Sequence, residues 1–129
     1  NIMSDINVNG RIKVSTFQKD FLKKFPYLVP TLRTSNGTGI DNSLTIAGAR
    51  AKAVGGDYKP SGQAELSVNG NLQVGSFENR FKAAFGIDCQ ICYKSPGGKL
   101  LKTNAARDKI TLTTLNAEMK AAGCQVITL

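Results

Sequence analysis

The sequence predicts an α+β protein built from two tandem strand–strand–helix–strand units related by internal duplication. Three observations predict it. Val8-Asn9-Gly10 recurs as Val68-Asn69-Gly70, and an offset of 60 residues then holds for almost thirty positions. All six phenylalanines fall into matched pairs at that offset: Phe17 with Phe77, Phe21 with Phe81 and Phe25 with Phe85. Around these anchors, apolar residues alternate first and then recur every four positions, the change from strand to helix periodicity.

The expected boundaries follow. Asn1 and Ile2, ahead of Met3, read as a tag remnant. The first unit covers 3–56, a linker or shared strand covers 57–63, and the second unit covers 64–129. A later anchor sets Asp41 and Leu44 against Asp108 and Leu112, and Gly55 against Gly123. That alignment gives the second copy about eight extra residues, placed in the turn chemistry of Pro96-Gly97-Gly98-Lys99.

Each unit opens with a hairpin signal around Asn-Gly. A three-residue turn, Val8-Asn9-Gly10, sets Ile6 opposite Ile12 and Asp5 opposite Lys13, separating an apolar face from a charged one. The second copy sets Leu66 opposite Leu72. Gly10 and Gly70 take the left-handed position of the bulge.

A helix follows, with Ser15 and Gln18 at capping-box spacing and Gly75 and Glu78 in the same places. The Phe residues form one helical stripe, and Pro26 and Gly86 end the two helices. Extended segments cover 27–33 and 87–93, the second burying Ile87, Cys89, Ile91 and Tyr93 on one face. Pro30 lacks a ladder donor and marks an edge or a bulge. A polar loop, a short helix capped by Asp41 or Asp108, and a closing strand at 124–129 complete the unit. The first copy shows no such closing strand.

This order resembles the β-grasp, or ubiquitin-like, fold. The likeness rests on the glycine turn, the helix stripe after the hairpin, the late Asp-x-x-(Thr/Leu)-Leu segment and the final Gln125-Val126-Ile127-Thr128-Leu129. Phe-Pro-Tyr-Leu at 25–28 and Phe-Gly-Ile-Asp-Cys-Gln-Ile-Cys-Tyr-Lys-Ser at 85–95 are similar to a set of small uncharacterised bacterial proteins made of two such halves. That likeness implies no activity. The alternative fold is a ferredoxin-like or TATA-binding-protein-like duplicated sheet.

Composition narrows the function. The 129 residues are 41% hydrophobic and 20% charged, enough to close a core without staples. No His is present, which removes His-based triads and the commonest zinc ligand. A mean hydropathy of −0.16 and no long apolar run argue against a membrane span. No export segment opens the chain, so the expected compartment is the reducing cytoplasm.

Three features bear on chemistry. Cys89-Gln90-Ile91-Cys92 has thiol-redox and half-zinc-site spacing. On a strand, however, residues three apart point to opposite faces, and their first-copy counterparts are the apolar Val29 and Leu32. With only Cys124 and carboxylates to complete a zinc site, no metal or cofactor is expected. The net charge of +8 and pI near 9.6 point to a polyanion, and Lys13, Lys19, Lys23 and Lys24 form a candidate basic strip. Their counterparts Gln73, Asn79, Ala83 and Ala84 carry no charge, so the strip lies outside the repeated design. Glycine pairs such as Gly97-Gly98 lack phosphate-loop spacing, and Gly55-Gly56 is internal rather than terminal.

The expected protein is therefore non-enzymatic and acts through a protein partner, with Leu28 and Leu32 as the candidate surface for packing between copies or on that partner. Nucleic-acid or polyanion binding through the lysine strip is the alternative. A thiol enzyme using Cys89 and Cys92 is the least favoured reading. Small sheets with unpaired edges also leave room for self-association.

Overall fold

The computed structural model describes residues 5–34, 40–54 and 65–129; the expected tag remnant and the 57–63 linker lie outside them. Among the described residues, the first repeat supplies β1 (Ile6–Asn9), α1 (Val14–Lys24), β2 (Val29–Arg33) and α2 (Ile46–Val54). The second supplies β3 (Glu65–Val68), α3 (Val74–Phe85), β4 (Asp88–Lys94), β5 (Leu100–Lys102), a 3-10 turn at Ala105–Arg107 and α4 (Leu112–Ala121). The result is a small α+β fold with two antiparallel sheets and four α-helices among the described residues.

The strands pair between repeats, not within them. β1 runs antiparallel to β3, with Ile6 opposite Val68, Asn7 opposite Ser67 and Val8 opposite Leu66. The expected hairpins, Ile6 with Ile12 and Leu66 with Leu72, are therefore not formed. Their return strands are replaced by helix, because the chain enters α1 at Val14 and α3 at Val74. The Val-Asn-Gly motif makes a side-chain turn instead. Asn9 Oδ1 accepts the N–H of Arg11 at 2.8 Å, and Asn69 Oδ1 accepts that of Asn71 at 2.9 Å.

Neither Gly10 nor Gly70 has a positive φ, so a left-handed bulge is not why glycine stands there. Gly70 answers to space: a Cβ on it would sit 2.0 Å from Thr113 Oγ1.

The second sheet has the order β2-β4-β5 and again crosses the repeats. Val29 faces Cys92, Pro30 faces Ile91, and Leu32 faces Cys89. Offset by 60, Val29 is the counterpart of Cys89, and Leu32 of Cys92, so each strand meets the other in an equivalent register. In the first sheet Asn7 faces Ser67, its own counterpart. Both ladders therefore obey one pseudo-two-fold axis, the isologous arrangement of a symmetric dimer within one chain. Pro30 sits on the edge strand β2, as expected.

The helices begin on loops supplied by the later half of each repeat. The N–H groups of Val14 and Ser15 donate to Leu44 and Asn42, both at 2.8 Å. Those of Val74 and Gly75 donate to Ile110 and Asp108 at 2.9 and 2.8 Å. With these partners, the expected Ser15–Gln18 capping box is not needed and is not made: the N-caps are Lys13 and Gln73, without side-chain bonds. The same bonds equate Asn42 with Asp108 and Leu44 with Ile110, an offset of 66 residues. The later anchor is thereby shifted, and the second copy carries six extra residues between anchors rather than eight.

Thr45 and Thr111, not Asp41 and Asp108, cap the following helices. Thr45 Oγ1 accepts the N–H of Gly48 at 3.0 Å, and Thr111 Oγ1 that of Thr114 at 3.2 Å.

The six added residues fold as a hairpin. Ser95 N–H reaches the carbonyl of Lys99 at 2.8 Å, Gly98 turns at φ 90°, and β5 joins the free side of β4. With β2 and β5 flanking β4, residues 124–129 find no ladder and do not make the expected final strand. Gln125 bridges Lys94 once, and the Ile127 N–H donates to Pro26 at 3.1 Å.

The core is shared. All six Phe rings are buried, at 0–2% exposure. Phe17 stacks on Phe81 with centroids 5.6 Å apart, and Phe21 meets Phe77 at 5.8 Å, so the stripes of α1 and α3 interleave across the axis. Each buried ring contributes about 2–3 kcal/mol of transfer free energy, gained only when both repeats are folded against each other.

Candidate functional site

Of the two expectations for Leu28 and Leu32, packing between the copies is the one the structure shows. Leu28 is fully buried and Leu32 is 3% exposed, both within the core that the repeats share. They pack between the copies and are not available to a partner of the folded chain. Leu32 is covered because β2 lies against β4 and turns this side chain toward the Phe rings.

The four lysines do not form one patch. Lys19 and Lys23 are exposed and share a stripe of α1, one turn apart, while Lys13 is exposed at its N-cap. Lys24 lies about 100° further round the helix than Lys23. It is half-buried, with Nζ 5.9 Å from the centre of the Phe25 ring, and it lines a separate cleft.

The thiols diverge, as strand geometry requires. Cys89 joins the shared core, whereas Cys92 packs with Val29 and Ile127 in a second apolar cluster. Cys89, Cys92 and Cys124 are all free and buried. Burial pushes the Cys89 thiol well above its ordinary value, with the nearby Glu78 charge adding to the effect. Cys92 Sγ lies 3.3 Å from Thr31 Oγ1, and Cys124 Sγ donates to Met119 Sδ at 3.7 Å. A buried, protonated thiol is a poor nucleophile and a poor metal ligand. Among the described residues, no cluster of three or more His, Cys, Asp or Glu is placed to hold a metal ion, and no helix is long and apolar enough to cross a membrane.

One carboxylate pair escapes sequence reading. Glu78 Oε2 accepts the N–H of Ile91 at 3.0 Å on the half-buried face of α3. Burial raises its pKa; the Ile91 bond opposes this and the negative charge of Asp108 reinforces it. In the first repeat the same two positions hold Gln18 and Asn42, whose amides hydrogen-bond at 3.3 Å. The match of Gln18 to Glu78 is visible at offset 60. That of Asn42 to Asp108 is hidden until the offset of 66 is known.

Two recesses are lined by the described residues. A cleft of about 530 Å³ opens between the end of α1, the turn before α3 and the start of α4. Asp5, Lys24, Phe25, Asn69, Thr113 and Asn116 line it. A groove of about 280 Å³ runs beside the outer cluster, lined by Gln18, Val29, Lys94, Leu100, Ile127 and Leu129. Leu100, Val126 and Leu129 are 47%, 51% and 60% exposed, the large apolar side chains most open to water among the described residues. Neither recess was legible in the sequence, because each is assembled from segments of both repeats.

Comparison of the chain with protein-family models, with curated proteins and with solved structures gives no match.

Proposed function

We propose that the chain is a non-enzymatic protein-interaction module whose contact surface is the groove at Leu100 and Leu129. The observation that carries this reading is the coincidence of exposed apolar side chains with a recess beside an edge strand. Leu100 begins β5, the free edge of its sheet, and Leu129 lines the same groove. Lys94 lines it too, and Lys99 and Lys102 flank Leu100 and are exposed, so the complementary partner is an extended apolar segment with acidic flanks.

The test places a photo-crosslinking residue at Leu100, at Leu129 and, as a control, at the exposed Ala117 of α4 in cells that make the protein. The reading expects one partner band from Leu100 and Leu129, weakened by K94E, and none from Ala117. Equal bands from Ala117, or no band from the groove positions, contradict it.

As to ancestry, the sharing of both sheets between repeats favours the duplicated-sheet reading over two closed ubiquitin-like units. The β-grasp likeness survives in the helix that each repeat packs against its following strand.

A second reading has its own observation. Lys13, Lys19 and Lys23 are exposed on a chain of net charge +8, which suits a polyanion. Heparin retention that falls steeply with salt and is lost in K19A/K23A would support it, and salt-insensitive or absent retention removes it.

A further inference from the structure

We propose that the cleft between the repeats is a binding site for a small organic anion, held through a carboxylate or phosphate group. This site is separate from the groove described above.

The chemistry of its lining sets the ligand class. Asn116 Oδ1 accepts the backbone N–H of Tyr27 at 2.9 Å, and Asn69 Oδ1 accepts that of Asn71 at 2.9 Å. A backbone N–H can be met only by the amide oxygen, so both side chains are fixed in orientation. Each is left with its NH₂ group, which can only donate. Thr113 adds a hydroxyl and Lys24 adds an ammonium. The cleft thus carries four donor side chains, two of them fixed in orientation by other bonds, an arrangement that recognises an oxyanion at low ordering cost. Asp5, whose Oδ2 accepts from Ser67 Oγ at 3.1 Å, is the one carboxylate in the lining among the described residues. It disfavours a second anionic group and suits a hydroxyl or amino group on the ligand. A volume of about 530 Å³ matches a small molecule rather than a single ion.

The pseudo-two-fold axis supplies an internal comparison. The counterparts of Lys24, Thr113 and Asn116 are Ala84, Ala47 and Arg50. Arg50 is only 6% exposed, so at the related position a long side chain is folded into the protein where Asn116 leaves an opening. Asn69 has its counterpart in Asn9, which makes the same turn, whereas Lys24, Thr113 and Asn116 meet once, in the cleft built from the end of α1 and the start of α4. A purely structural demand of the fold would act on both halves alike. Here the backbone and part of the lining are repeated, Asn9 for Asn69 and Glu65 for Asp5, while Lys24, Thr113 and Asn116 are not.

The experiment is a titration of the full chain, followed by amide and side-chain NH₂ signals in ¹H–¹⁵N NMR spectra. The probes are glycerol 3-phosphate, serine and uncharged glycerol. The proposal expects saturable shifts at Asn69, Asn116 and Thr113 with glycerol 3-phosphate or serine, and none with glycerol. Saturation by the phosphate alone or by the amino acid alone identifies which oxyanion the site takes. K24A and T113A install the residues found at the related positions, and a parent-like spectrum outside the cleft shows that each variant keeps the fold. K24A should weaken binding about tenfold or more, the loss expected for one charge-assisted contact. The proposal is overturned if glycerol shifts the same signals equally, if K24A binds as the parent does, or if no probe gives a saturable shift. It is equally overturned if shifts centre on Lys19 and Lys23, which would be surface attraction of an anion to a basic chain.

Discussion

Gln18 and Glu78, counterparts 60 residues apart, hold the same peptide unit of the two repeats by its opposite ends. Gln18 Nε2 donates to the carbonyl of Pro30 at 2.9 Å, whereas Glu78 accepts the N–H of Ile91 at 3.0 Å. The substitution of carboxylate for amide explains the difference, since an ionised Glu has nothing to donate. It also brings a negative charge against Asp108, where the first repeat has Asn42.

That charge makes stability depend on pH with a definite sign. The pKa of Glu78 is raised in the folded state, so the folded chain holds its proton more tightly than the unfolded chain does. The contribution of Glu78 therefore favours folding at low pH and declines as pH rises from the ordinary value of 4.5 through the raised one. E78Q keeps an acceptor for Ile91 and should abolish the decline. At pH 7 it should stabilise by roughly 0.5–1 kcal/mol, a figure discounted for solvent screening. E78Q/D108N, which copies the amide pair of the first repeat, should stabilise by less than the sum of the single changes. Urea melts at several pH values decide this; a parent and an E78Q variant with parallel pH profiles would contradict it.

Gly70 is a matter of clearance. A Cβ there meets Thr113 Oγ1 at 2.0 Å, while a Cβ on Gly10 meets Ala47 Cβ at a comfortable 3.4 Å. G70A should cost about 1–3 kcal/mol by overpacking, and G10A much less. T113A added to G70A removes the clashing hydroxyl, leaving a Cβ against an alanine as a Cβ on Gly10 would face Ala47, and should recover most of the loss. Equal costs for G70A and G10A in thermal melts would show that the close approach is not what selects glycine.

Because Phe17 touches Phe77 and Phe81 as well as Phe21, this ring supports both halves. F17A should destabilise by about 3–5 kcal/mol and lower a single cooperative transition. Two separate transitions, one of them unchanged by F17A, would mean that the repeats fold independently.

The thiols should be slow. Cys89 is 2% exposed and its pKa is raised, so a thiol reagent such as DTNB should modify it at the rate of unfolding in native buffer and rapidly in denaturant. Modification in native buffer on the timescale of free cysteine would place Cys89 at a reactive surface.

How far the sequence could be read depends on the range of each interaction. The Phe stripes, the stop at Gly86 and the opposite faces of Cys89 and Cys92 follow from local periodicity, and the structure agrees with each. The duplication itself was visible because the matched residues keep a constant spacing. Pairing was not. An Asn-Gly turn between alternating residues fits a hairpin, and only the contest between Ile12 and Val68 for Ile6 decides against one. The three-residue strand β5 is too short to show a period. For the same reason local pattern leaves open whether Leu28 and Leu32 pack between the copies or on a partner, and the structure shows the first, both lying in the shared core. The cleft and the Glu78–Asp108 pair depend in turn on that pairing, so they emerge only with the fold.

The central claim is that the two repeats complete each other's sheets about one axis. Inter-strand nuclear Overhauser effects test it most directly. The account predicts contacts between Asn7 and Ser67 and between Pro30 and Ile91, the rungs nearest the axis. Contacts of Ile6 with Ile12 and of Leu66 with Leu72, in place of those, would contradict it.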